Sequence, residues 1–173
     1  MIKITSEDFS EAYKLLDNSF ISEELKEYPR LFEEFIFSGL EIFALKDSER
    51  ITAVITCWEF EGFVFIENFA VSAEKRGQGL GTQLINEVFE HYSKKTLILE
   101  VEKPLDETQQ RRIRFYENLG FTFTDFTYKQ PQLRDIPTDV DLYIMYKGNE
   151  EIVSQLDSFK AQIFGKVYNL SEK

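Results

Sequence analysis

Residues 67–92, ENFAVSAEKRGQGLGTQLINEVFEHY, constrain the chain more than any other stretch. An apolar strand pattern runs into a turn holding Gly77, Gly79 and Gly81. A helix with Leu80, Leu84, Ile85, Val88, Phe89 and Tyr92 on one side then leaves it. A strand that passes through glycines into a helix start gathers backbone N–H groups at the positive end of a helix dipole, a place suited to phosphate. The apolar run TLILEV at 96–101 follows, so the unit reads strand, turn, helix, strand, with its two strands as parallel neighbours. The spacing is not that of a P-loop, and the third glycine falls one residue early for a dinucleotide fingerprint. Lys75 and Arg76 before the turn and Thr82 after it suit a pyrophosphate better than a neutral ligand.

The remaining elements are arranged around this unit. Residues 2–5 read as a short strand, with Ser6 as the N-cap of a first helix. A second helical stretch starts at Ser22, breaks at Pro29 and continues to Ile36. Both helices are acidic and ring-rich. Three strands in a meander follow, at 41–46, 51–60 and 63–71. On the third, a period of two puts Phe63, Phe65, Glu67, Phe69 and Val71 on one face. Glu67 interrupts that aromatic face, so its carboxylate is expected to be paired or functional. Glu100 and Glu102 share a face of the next strand. Asp106 and Gln109 form a capping box for a helix with Ile113, Tyr116 and Leu119 on its apolar side, ended by Gly120. Strands at 121–128 and 142–146 flank a loop, and Gly148-Asn149 opens a C-terminal helix with a seam of Ile152, Leu156, Phe159 and Ile163. The seam packs either on its own domain or against a second copy, as a homodimer contact. The expected architecture is α/β (α+β): a mixed, mostly antiparallel twisted sheet of about seven strands with a parallel central pair and helices on both faces. The domain is expected at 1–147, with a C-terminal helical extension at 148–173.

Composition narrows the function. At 173 residues one domain is expected. A net charge of −11 argues against nucleic acid and fits a cationic small molecule. Cys57 is the one cysteine and His91 the one histidine, so neither a disulfide nor a metal centre is expected. The N-terminus lacks a signal-peptide pattern and no run approaches 18 apolar residues, which points to the cytoplasm and away from a membrane.

Two motifs carry a resemblance. RGQGLG at 76–81 is similar to the R/Q-x-x-G-x-G/A motif of the GNAT superfamily of acyl-CoA-dependent N-acetyltransferases. FYENLGF at 115–121 resembles that family's Y-x-x-x-G-F signature. The order of elements agrees from residue 2 to about 147. LEVEKP, RRIRFYENLGF and TYKQP resemble a bacterial subgroup whose substrates are mostly unassigned. The resemblance implies the GNAT fold, acetyl-CoA as the cofactor, and direct acetyl transfer to a primary amine, without an acyl-enzyme. It implies that the backbone N–H groups of Gly77, Gln78, Gly79, Leu80, Gly81 and Thr82 hold the CoA pyrophosphate, with Arg76 beside them as a cofactor-binding residue. Phe69, Ala70 and Val71 would offer main chain to the pantetheine arm, where neighbouring strands splay. Tyr116 would protonate the departing thiolate. Glu67 is the first candidate for the base that takes the amine's proton. Glu100 and Glu102 come second, and an ordered water is the alternative. Many relatives carry an Asn seven residues before the tyrosine. Gln109 stands there, as the corresponding pantetheine contact. The acidic first helices, which border the acceptor in this family, favour a cationic amine such as a polyamine, an aminoglycoside-like amine or a protein lysine. A different class of reading is a degenerate GNAT that binds acyl-CoA as a sensor or structural module. A third is a generic phosphate-binding domain.

Overall fold

The computed structural model describes residues 1–170. Seven strands form one sheet in the order β1-β2-β3-β4-β5-β7-β6. They are β1 (Ile2–Lys3), β2 (Leu40–Asp47), β3 (Arg50–Glu59), β4 (Phe63–Val71), β5 (Thr96–Glu102), β6 (Thr122–Lys129) and β7 (Asp141–Lys147). Every neighbouring pair is antiparallel except β4 with β5. That parallel pair is joined by α3 (Leu80–His91), as a crossover connection requires. The mixed sheet, the parallel central pair and the helices on both faces match the architecture expected from the sequence.

Two hydrophobic cores lie on opposite faces. On one, α1 (Phe9–Asp17), α2 (Tyr28–Glu33) and α5 (Leu156–Lys166) cover Trp58, Phe63, Phe65 and Ile144. On the other, α3 and α4 (Glu107–Asn118) cover Ile55, Val64, Ile66, Leu97, Leu99 and Met145. Ile152, Leu156, Phe159 and Ile163 are all buried in the first core. Phe9 is ringed by Tyr28, Phe32 and Phe35, with centroids 5.2, 5.0 and 5.2 Å away. These rings account for part of the heavy aromatic load.

Three local expectations change. Pro29 does not break a helix but opens α2 in its first turn, where its missing N–H costs no helix bond. A single wider helical turn, Glu34–Ser38, prolongs α2 until Gly39 ends it at a φ of +83°. The N-cap of α1 is Asp8 rather than Ser6.

A further change, in the sheet, shapes the site. In the β3–β4 ladder Thr56 faces Asn68 while Cys57 faces Ile66, so Glu67 is an extra residue without a partner. This β-bulge shifts the alternation by one position, and a shift of one turns every later side chain to the other face. Phe63 and Phe65 therefore join the first core, but Phe69 and Val71 pack with Val64 and Ile66 against the second. The sequence pattern had grouped all five odd-numbered residues on one face.

Candidate active site

The parallel pairing stops where the bulge begins. β4 and β5 are registered from Phe63↔Thr96 to Ile66↔Leu99 and no further. Beyond that point β4 stays with β3 up to Val71, and β5 stays with β7 up to Glu102. The two strand ends splay and leave a notch, with a free edge of β4 on one side.

A cleft of about 650 Å³ fills this notch and runs along the glycine turn. Phe69, Ala70, Val71, Arg76, Gly77, Gly79, Leu80, Gly81, Thr82 and Tyr116 line it, together with Lys75, Arg111 and Arg112. Gly77 and Gly79 hold φ of +75° and +81°, a region that side chains rarely adopt. Gly81 is needed for closeness instead. A Cβ there would sit 3.0 Å from the Phe69 ring and 3.2 Å from the Phe115 ring. The first helical bond of α3 runs from Gln83 N–H to Gly79 C=O. The N–H groups of Leu80, Gly81 and Thr82 precede it and have no intrahelical acceptor. Two side chains near the cleft are engaged elsewhere, although the contact expected of Gln78 is through its backbone N–H. The Gln78 side chain donates to Glu74 C=O. Gln109 closes the capping box with Asp106 and donates to Glu102 at 2.5 Å. Neither lines the cleft. Of the two cations before the turn, Lys75 is paired with Asp47 at 2.6 Å, and Arg76 donates to Val71 C=O.

Tyr116 sits 8% exposed at the cleft wall, between Phe115 and Phe121. Burial pushes its phenol up to about 12, and Arg112 opposes the shift. It therefore holds its proton at neutral pH.

A smaller cavity of about 80 Å³ opens beside the cleft, on the side of the first helices. Glu24, Glu67, Glu100, Glu102 and Arg112 line it, along with Tyr168 near the C-terminus. Glu67 and Glu100 line both cavities and so mark their junction. Glu67 is fully engaged: Oε1 pairs with Lys26 Nζ at 2.9 Å and Oε2 accepts from Trp58 Nε1 at 2.7 Å. Lys26 is itself completely buried. It also donates to Glu34 at 2.6 Å and to Val167 C=O at 2.8 Å. Burial raises the Glu34 carboxyl, against the pull of Lys26. Glu100 accepts from Tyr128 and Tyr168. Burial nevertheless pushes its carboxyl up to about 7, with the two phenols and Lys26 opposing and Glu67 adding to the rise. Glu24 is also pushed to about 7, by burial first and then by Glu102 beside it. Lys26, Tyr128, Tyr168 and Arg112 were not singled out from the sequence. Only Arg112 carried a readable signal, four residues before Tyr116 and thus on the same helix side. Cys57 is buried in β3 and its thiol is raised by that burial, which leaves it inert.

The comparisons with known proteins agree with this geometry. The acetyltransferase (GNAT) family matches residues 9–121. The chain belongs to the GNAT family of acetyltransferases. It is 31% identical over 112 residues to "Putative acetyltransferase YjbC" of Bacillus subtilis (strain 168), across 63% of this chain and 55% of that protein. The chain thus spans about half the length of that relative. A solved GNAT-family structure from Bacteroides thetaiotaomicron is similar over 99% of this chain and all of that one, with a TM-score of 0.89 and 28% identity. An aminoglycoside 6'-N-acetyltransferase complexed with coenzyme A is similar in fold over 85% of this chain and 96% of its own, at TM-score 0.65 and 16% identity. Fold and family are thus those of the GNAT acetyltransferases.

Proposed function

We propose that the protein transfers the acetyl group of acetyl-CoA to a primary, cationic amine by direct attack. The observation that carries this reading is the junction at the notch. Glu67 and Glu100 stand where a large cleft with the glycine turn and Tyr116 meets a small acidic cavity. The cleft residues fit CoA. The free N–H groups at the start of α3, the left-handed glycines and the room that Gly81 leaves suit a pyrophosphate laid on a helix N-terminus. Arg76, Arg111 and Arg112 add positive charge along the same cleft. When bound, acetyl-CoA supplies an acyl group on a good thiolate leaving group.

The chain's own residues then manage protons. An amine arrives as an ammonium and must lose a proton to become a nucleophile. Glu100, raised to about 7, suits that exchange near neutral pH. Glu67 lies across the junction with both oxygens committed to Lys26 and Trp58. It orients the amine and adds negative potential, so the base role first expected of it moves to Glu100. Tyr116 keeps a proton on its Oη and gives it to the departing sulfur. Among the described residues Arg112 is the one cation lining this cavity, so Glu24 and Glu102 favour a positively charged acceptor. Residues 1–147 form the catalytic unit and the helical extension after them completes it. A reducing cytoplasm suits the free Cys57. Among the described residues no helix is long and apolar enough to cross a membrane.

A thiol-release screen of primary amines with acetyl-CoA tests the activity. Tyr116→Phe tests the mechanism. It is expected to lower kcat about 100-fold or more while CoA affinity, read by calorimetry, holds within about twofold. Unchanged kcat would remove the proton-donor role.

A further inference from the structure

Val167 and Tyr168, directly after α5, turn back into the acceptor side of the site. Val167 and Tyr168 lie past the last helical turn, yet they are 0% and 8% exposed. The Val167 carbonyl accepts from Lys26 Nζ at 2.8 Å, and Lys26 holds Glu67. The Tyr168 hydroxyl donates to Glu100 Oε2 at 2.5 Å, across 68 positions of sequence. Tyr128 donates to the other oxygen, Oε1. Tyr168 also forms part of the acidic cavity wall. Both carboxylates at the junction are thus held, directly or through Lys26, by two consecutive residues near the C-terminus.

We propose that Tyr168 is a positioning residue of the acceptor site, and that the C-terminal segment, outside the family-matched residues 9–121, is a working part of that site. The phenol fixes the Glu100 carboxylate facing the notch, while the Val167 carbonyl anchors the lysine that fixes Glu67. The proposal rests on the reading of Glu100 as proton acceptor. A side chain that served packing alone would act through its ring. A positioning residue acts through its hydroxyl.

The hydroxyl can be removed by itself. The groups facing Glu100 are Tyr128 from β6, Glu67 from β4, Lys26 from the segment before α2, and Tyr168. Glu24, Glu102 and Arg112 share its cavity. Tyr168→Phe takes away one donor that favours the ionised carboxylate and leaves the others in place. Losing a hydrogen bond to a charged group makes ionisation harder, by about one pH unit.

The experiment uses the full chain, carbon-13 labelled at the Glu carboxyls, with the Glu100 resonance assigned by its loss in Glu100→Gln. The wild-type resonance is expected to titrate at about 7. In Tyr168→Phe the midpoint moves up by about one unit, with CoA binding, measured by calorimetry, unchanged. A midpoint that stays put overturns the proposal. Should the Phe variant not fold, 3-fluorotyrosine at position 168 keeps the hydroxyl and donates more strongly. It then lowers the midpoint, and an unmoved midpoint overturns the proposal again. The acetyltransferase reading fails separately, if the wild-type chain does not bind CoA.

Discussion

In the proposed reaction Glu100 changes its protonation state near neutral pH. Burial raises its carboxyl to about 7, although two phenols and Lys26 favour its ionised form. If it takes the amine's proton, it must be ionised to act. The kcat/KM profile should then fall on the acid side with a midpoint at about 7. Glu100→Gln should abolish that limb and lower the rate by about 100-fold. A limb that survives the substitution would return the role to Glu67 or to water. In the proposed reaction Tyr116 works in the opposite sense, because there it must hold its proton. Its phenol is pushed up to about 12, so it contributes no alkaline fall in rate across the neutral range. Tyr116 was readable from the Y-x-x-x-G-F spacing. The raised carboxyl of Glu100 was not, since burial and two distant phenols produce it.

At the level of elements, the β4–turn–α3 unit sets the site. Gly81 lets α3 start close to β4 and α4. A Cβ would meet the Phe69 ring at 3.0 Å and the Phe115 ring at 3.2 Å, and both rings line the cleft. Gly81→Ala should therefore cost about 1–3 kcal/mol of stability, read by denaturant unfolding. Because the displaced rings belong to the cleft wall, CoA affinity should fall as well, read by calorimetry. Loss of stability with unchanged affinity would show that the contact serves packing only. The capping box of α4 was legible because Asp106 and Gln109 are local partners, three positions apart. The same fact explains why Gln109 is no cleft residue: its side chain is occupied by the Leu105 and Asp106 N–H groups and by Glu102. The bulge at Glu67 could not be read, because a one-residue excess exists only relative to the partner strand.

For the whole molecule, the raised carboxyls give stability a definite sign with pH. Glu24, Glu34 and Glu100 all ionise at higher pH in the folded chain than in the unfolded one. The folded state then binds more protons between the ordinary carboxylate value of 4.5 and about 7, so this part of stability is fully present below that ordinary value and is lost progressively as pH rises to about 7. Glu41, held down by Lys3 and Tyr92 against its burial, and Glu87, held down by the N-terminus, work oppositely and lose stability only at lower pH. Tm should decline as pH rises from about 4.5 to about 7, and Glu100→Gln should flatten the slope. An identical slope in both proteins would show that Glu100 is not shifted.

The order of elements, the parallel pair, the phosphate-type turn, Tyr116 and the apolar seam of the last helix are all legible in the sequence, though not whether that seam meets its own domain or a second copy. All but Tyr116 are encoded within a few turns of chain by period, capping residues or glycine, and local sterics suffice to read them, whereas the role of Tyr116 is what the family resemblance implies. Which carboxylates meet was decided only by the tertiary structure. Glu67 is held by Lys26, Glu100 by Tyr128 and Tyr168, and Glu24 lies beside Glu102. Those partners are tens of residues apart, and they are brought together by the splay of two strands, one bulge and the return of the C-terminal segment, none of which leaves a periodic mark in the chain.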